Sequence, residues 1–495
     1  MMRSMYSGVS GLKVHQTKMD VIGNNIANVN TVGFKSSSVT FSDILYQTTA
    51  AATGPNETTG SAGINAMQIG LGSNVSSITT NISKTGGAQR TDNWSDLMIE
   101  GDGFFIVNSN GSNYFTKAGS FNVDAAGNLC TASGALVMGW QVSQDDPNQC
   151  KSDTVSPLRV MSPENMYAPP EATTNVYVSG NIDSNDTQIA FGTEGRVVNV
   201  QFYDQLGNLY SAAFTITQDE APENTNLYAV KLRNVYDASG ESVFVNKIEN
   251  EDGTITYEST PITSFNFGVV TGDTDTAENV TVDVDTDTGE VTIDMEGVPL
   301  MFSASTGQFL SIGDGTAAAD EKQPTSISFN LVSDGGPFVP IDVDFSSLTM
   351  YSQSGTTSLE STKGSLENGY GAGCAVGNMS GISIDKNGKI YGTYDNGNQK
   401  LLGEIVVATF ANPAGLESVG NNMYAMTQNS GDFDGIGVEI GTTGGKFNTG
   451  VLEMSNVDLA SEFTEMITTQ RGFQANSRII TTSDTLLEEL INLKR

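Results

Sequence analysis

The hydrophobic positions change period twice along the chain. Near the N-terminus, Met5, Leu12, Met19 and Ile26 recur every seven residues, and Ile22 and Val29 add a second row. That spacing predicts a helix with a heptad-type apolar seam. At the other end Leu452, Leu459, Met466, Phe473, Ile480 and Leu487 keep the same step, with Phe463 beside them. Ile479, Leu486 and Leu493 widen that stripe. Asn456 is the expected N-cap, with Asp458 in the first turn. No proline interrupts Asn456 to Lys494, and a helix of that length spans roughly 55–60 Å. Neither helix can bury its stripe on itself. Six seam side chains contribute about 12 kcal/mol if fully buried, whereas ordering costs about 1 kcal/mol or more per residue. The two ends therefore need partners: each other, or further copies.

Between the ends the period becomes two. Asp-x-x-Gly signals at Asp124–Gly127, Asp204–Gly207, Asp237–Gly240 and Asp385–Gly388 mostly separate strand-like runs, which predicts β-hairpins with a glycine at positive φ. The polar stretches 50–61 and 352–365 are candidate linkers. The expected fold is mainly β with long helical N- and C-termini and nested domains. The terminal helices make a coiled-coil core, and of two β-rich domains the outer is inserted in the inner. In residues, 1–68 is the N-terminal helix and extended connector. Residues 69–150 with 362–445 form the inner β domain, 151–361 the outer acidic β domain, and 446–495 the C-terminal helix.

Composition adds constraints. The chain has 495 residues, 38% hydrophobic, and its 54 glycines against 13 prolines suit many tight turns. No apolar run approaches the ~18 residues of a membrane span, so membrane insertion is not expected. The N-terminal stretch lacks the apolar region of a secretory signal peptide. Net charge is −34, and residues 151–360 hold 32 Asp and Glu against 7 Lys and Arg, a net of −25. Such an acidic surface disfavours nucleic acid and reads as a water-facing, self-repelling exterior. Cys130, Cys150 and Cys374 have no metal-type spacing, and one pair could bridge, leaving one over.

The segment Gly8–Gln47, with "ANVNTVGFK" at Ala27–Lys35, resembles the N-terminal signature of the rod and hook axial proteins of the bacterial flagellum. Val451–Arg495, with "SNVDLASEF" and "QRGFQANS", resembles the C-terminal segment of that family. "GDGFFIV" (Gly101–Val107), Tyr114–Leu129 and Gly381–Ala425 look like the body of its hook members. The resemblance covers roughly 1–150 and 362–495, is loose over 195–235 and 295–350, and is absent over about 241–290. It implies a structural subunit of the flagellar hook, a flexible curved helical tube that passes motor torque to the filament and serves motility. It also implies type III export without a cleaved signal peptide, assembly outside the cell, and neighbours in the rod, hook-cap and hook–filament junction proteins. The terminal helices would form the inner tube, with Met5, Leu12, Met19, Ile22, Ile26, Val29, Phe34, Leu452, Leu459, Phe463, Met466, Phe473, Ile480 and Leu487 at the assembly interface. Asn24, Asn25, Asn28 and Asn30 would turn the chain out of the tube wall, Gly33 supplying a positive φ. Stiffness is expected in the helical core and compliance in the β domains.

Catalysis has little to stand on. His15 is the sole histidine, no G-x-S-x-G occurs, and "GTTGGK" (Gly441–Lys446) lacks phosphate-loop spacing. No cofactor is expected. Asp283, Asp285 and Asp287 have D-x-D-x-D spacing and are weak calcium candidates, because the glycine comes one position late and position twelve is Asp294. The rival readings are a distal rod or other axial protein of the family, and an extracellular adhesin or enzyme on a coiled-coil stalk.

Overall fold

Helix α1 spans Met2–Ala27 and helix α2 spans Leu459–Asn492; between them the described residues form strands, turns and two short 3-10 helices, Pro413–Gly415 and Ile440–Thr443. The computed structural model describes residues 2–55, 60, 62–143, 146–219, 226–249, 255–271, 274–275, 278–313, 323–332 and 336–493. The molecule is mainly β with a helix at each end. Part of the first expected linker (56–59 and 61) and the expected helix end at Lys494 lie outside the described residues. Among the described residues no helix is long and apolar enough to cross a membrane.

Several expectations are corrected. The N-cap of α2 is Asp458, whose carboxylate accepts from Ala460 N and Ser461 N. Asn456 is buried instead, with its side chain bonded elsewhere. Leu452 lies on the strand Val451–Glu453, paired with Ala88–Arg90, so the helical stripe starts at Leu459. Its seven-residue offset from Leu459 is coincidental. Val29 falls in the turn after α1, where Asn28 N donates to Asn24 O and Asn25 O. The stretch 352–365 is no linker throughout, because Ser358–Lys363 pairs antiparallel with Asn175–Asn181.

The four Asp-x-x-Gly signals are turns of one design. Asp124, Asp204, Asp237 and Asp385 each accept two backbone N–H groups, two and four residues on, at 2.7–2.9 Å. Gly127, Gly207, Gly240 and Gly388 have φ of 81°, 86°, 82° and 99°. A short acidic side chain closes the turn locally and glycine supplies the left-handed φ, so the motif needs no tertiary help.

The chain divides into two compact units, the second inserted in the first along the sequence. One comprises Met1–Met166, Ser380–Thr393 and Gln399–Arg495; the other comprises Tyr167–Met379 and Tyr394–Asn398. The first unit joins distant sequence: Leu97–Glu100 pairs with Lys446–Thr449 in antiparallel register. Its interior is aromatic, with Phe105 edge-on to Phe121 at 5.0 Å and Phe115 edge-on to Phe410 at 4.7 Å. The second unit holds an eight-stranded and a five-stranded sheet. Their inner faces share one core that includes Phe202, Phe214, Phe265, Phe329 and Phe345. Burial alternates along Arg196–Tyr203 and Ile341–Thr349, as half-buried strands require. The stretch 241–290 contributes the hairpin Val245–Glu249/Ile255–Ser259 and three strands of the larger sheet.

Within the first unit Glu404 is 4% exposed, and its Oε1 has no partner among the described residues. Burial, then the charge of Glu439, raises its pKa to about 7. Burial, then Glu404, pushes the neighbouring Cys150 thiol up to about 12. The folded state therefore prefers protonated Glu404. That contribution is fully present below the ordinary carboxyl value of about 4.5 and is lost as pH rises through about 7. Glu404→Gln is expected to stabilise the first unit by about 1–3 kcal/mol at pH 8 and by almost nothing at pH 4, read from urea unfolding at both pH values.

Candidate assembly surface

α1 and α2 pack on each other through small and polar residues set among apolar ones: Val14 and Ile22 of α1 are buried, and Ile480 of the α2 stripe lies against Gly8. The buried positions of α1 are Gly8, Gly11, Val14, Ile22 and Asn25; those of α2 are Thr469 and Ser483. Added Cβ atoms would stand 3.2 Å from Ile480 at Gly8, 2.7 Å from the Asn476 side chain at Gly11, and 2.8 Å from the His15 ring at Gly472. Missing side chains thus let the helices approach closely. Polar contacts set their register: Ser4 and Ser483 hydroxyls meet at 3.4 Å, and Lys18 Nζ lies 3.0 Å from Glu465 Oε2. Asn25 Nδ2 donates to Glu462 Oε1 at 3.0 Å. Desolvation raises the Glu462 pKa despite that bond.

The expected interface residues therefore separate. Met5, Leu12, Met19, Ile26, Val29, Phe34, Met466, Ile480 and Leu487 are half-buried. Ile22 is buried, and Leu452 is buried within the body. Leu459, Phe463 and Phe473 are 40%, 49% and 37% exposed. Ile467, Ile479, Leu486, Leu490 and Ile491 are exposed with them, as are Met2, Tyr6 and Val9 of α1. A second apolar surface escaped the sequence reading. Strands β1 (Ser37–Asp43) and β4 (Ser73–Thr80) pair, as do β2 (Tyr46–Ala50) and β3 (Met67–Gly70). This ribbon exposes Phe41, Ile44, Leu45, Tyr46, Met67, Ile69 and Ile78.

Where α1 ends, the chain is fixed by a polar knot. Asn25 exchanges two hydrogen bonds with the Ser37 backbone, Nδ2 to Ser37 O at 2.9 Å and Ser37 N to Oδ1 at 3.0 Å. Gly33 has φ of 70°, and its N–H donates to Glu453 O at 2.8 Å. Lys35 Nζ meets Glu453 Oε1 at 2.7 Å, with both side chains almost fully buried. Gly86 N donates to the same oxygen at 2.9 Å, and Lys35 Nζ to Lys84 O at 2.9 Å. Asn456 accepts from Ser36 N at 2.7 Å and donates to Asn81 O and Lys84 O. Beside the knot, Lys117 Nζ donates to Gly101 O at 3.2 Å; burial, then the like charge of Lys35, lowers its pKa to about 8. The asparagines expected to turn the chain do so at Asn28, which bonds Asn24 O through Nδ2 at 3.0 Å. No sequence signal marked Asn25, Lys35, Glu453 and Asn456 as mutual partners.

The knot joins two stretches more than 400 residues apart, and these match family models. Residues 5–35 match the model described as flagella basal body rod protein, and 448–493 match flagellar basal body rod FlgEFG protein C-terminal. Residues 98–199 match flagellar hook protein FlgE/F/G D1 domain. A protein named flagellar hook protein FlgE from Borreliella burgdorferi is 36% identical over 100% of both chains. The chain belongs to the flagellar hook protein family. It is a structural hook subunit. FlgE relatives from Treponema pallidum and Salmonella typhimurium are 33% and 29% identical, covering 100% and 99% of this chain and 100% of each relative. Among solved structures, Helicobacter pylori flagellar hook protein FlgE2 covers 74% of this chain and is itself covered in full. Its TM-score is 0.33 at 14% identity.

The calcium candidates of this family member do not converge. Asp283 lies in the strand Glu278–Val284 opposite Thr292, while Asp285 accepts from Asp287 N and Thr288 N in the following turn. Among the described residues no group of three His, Cys, Asp or Glu is placed to hold a metal.

Removing one partner of the buried pair leaves an uncompensated charge. Lys35→Met is expected to destabilise the first unit by about 3–5 kcal/mol, with the double variant Lys35→Met/Glu453→Leu recovering much of the loss; chemical unfolding of the three chains measures this. Gly33→Ala would place a Cβ 2.7 Å from Ala118 N at positive φ. It is expected to cost more than about 1 kcal/mol in the same assay.

Proposed function

We propose that the subunit polymerises through the outward apolar faces of α1 and α2 into a curved, flexible helical tube that passes motor torque to the filament. The observation that carries this reading is the pairing of the helices through Gly8, Gly11, Thr469, Gly472 and Ser483. It leaves Leu459, Phe463, Ile467, Phe473, Ile479, Leu486 and Leu490 in water. Covering side chains of this kind is worth roughly 1.5–3 kcal/mol each, on the order of 10 kcal/mol per subunit. The same patch on every copy, meeting a different patch on the next, makes a heterologous contact that need not close and so generates an open helix.

In this reading 1–68 and 446–495 line the inner tube. Residues 69–150 with 362–445 form an inner β layer, and 151–361 an outer one. The acidic outer surface makes weak, wet contacts that slide as protofilaments lengthen and shorten in each turn. The subunit works outside the cell, reaches the growing tip through the flagellar type III export apparatus, and meets rod, hook-cap and hook–filament junction proteins at the ends of the polymer.

Phe463→Ser combined with Ile467→Ser is expected to abolish tube formation while leaving the melting of the second unit within about 0.5 kcal/mol of the parent. Electron microscopy and calorimetry of the purified chain measure the two. Normal tubes from this variant would refute the role assigned to α2.

A further inference from the structure

We propose that His15 makes the α1–α2 pairing an acid-sensitive clasp, in which the helices close on a neutral imidazole and part when it is protonated. This inference rests on the assembly reading above. His15 is the only histidine in the chain. It faces Gly472 of α2 so closely that a Cβ there would stand 2.8 Å from the ring. Its other flank meets the edge of Phe41 from β1, with ring centroids 6.1 Å apart. Nδ1 is buried and has no partner among the described residues. As a bare nitrogen it forgoes one acceptor bond. As an N–H of a cation it would be a buried charged donor with no acceptor, which is far costlier.

The surrounding charges do not rescue the cation. On α1, Lys18 stands one turn away and is the charge that, after desolvation, lowers the His15 pKa. Lys13 and Asp20 are the other charges of α1 near it in sequence. Between Glu462 and Arg478, α2 carries only Glu465 and Arg471. Glu465 is engaged by Lys18 at 3.0 Å, and Arg471 donates to Gln474 Oε1 at 3.4 Å. β1 carries only Asp43, at its far end, and β4 carries no charged residue. No described carboxylate is ion-paired with the ring.

The sign follows. A basic group whose pKa is lowered in the paired state binds more protons when the helices are apart, so pairing strengthens as pH rises toward the ordinary imidazole value and weakens as pH falls below it. In an assembled tube every subunit carries the same clasp. Acid is therefore expected to loosen the inner wall cooperatively, while the second unit, which has no histidine, keeps its fold.

The experiment takes tubes assembled at pH 8 through a pH series down to 4, with sedimentation reporting the polymer fraction. Wild type is expected to dissociate in the imidazole range, and His15→Gln, which keeps size and cannot charge there, to dissociate at least ~0.5 pH unit lower. Equal midpoints for the two chains would overturn the clasp. Failure of wild type to form tubes at pH 8 would instead overturn the assembly reading. Should His15→Gln not assemble, isotope-labelled wild-type tubes decide the matter. A titration midpoint for His15 below the ordinary value of about 6.5 in intact polymer supports the clasp, and one at or above it refutes the clasp.

Discussion

The structure depends on how two helices divide their faces. α1 and α2 meet where side chains are small or polar: Gly8, Gly11 and Asn25 on one, Thr469, Gly472 and Ser483 on the other. Close approach of glycine-bearing backbones gives a well-defined register with little apolar burial. Many large residues are left over, Leu459, Phe463, Ile467, Phe473, Ile479, Leu486 and Leu490 of α2 among them, and these stay exposed. A monomer built this way holds its ends in the right geometry yet leaves most of the hydrophobic gain unrealised. That gain becomes available only when the exposed faces are covered.

The knot around Lys35 and Glu453 gives the pair its origin. It ties the turn after α1 to the strand before α2, with Asn25, Ser36, Ser37, Gly86 and Asn456 satisfying most of the buried polar groups. Buried ion pairs add little net stability, but they punish wrong alignments, since a misplaced partner strands a charge. Here the alignment fixed is that of the two terminal helices relative to the β strands they join. The segments in the knot are also those that match the rod and hook family models, so the family likeness and the physical junction coincide.

Much of the fold was legible because its signals are local. A seven-residue step predicts both terminal helices, and Asp-x-x-Gly predicts each of its turns, since the bonds that close them lie within four residues. What escaped was non-local. Leu452 extends the α2 stripe by arithmetic alone, because nothing nearby reveals its strand partner some 360 residues earlier. The heptad positions marked the apolar faces but not which face would turn inward. Glycine at 8, 11 and 472 looks like a helix weakness until the opposing Asn476 and His15 are seen. The stretch 352–365 reads as linker by composition, yet Ser358–Lys363 is an edge strand with every other residue half-buried.

Hydrogen exchange of the two helices, in dilute monomer and in assembled tubes, tests the central claim most directly. The result expected is weak protection of amides in 2–27 and 459–492 in the monomer, rising by orders of magnitude on polymerisation, with the sheets of the second unit unchanged. Helices already protected as strongly as those sheets in dilute monomer would contradict it.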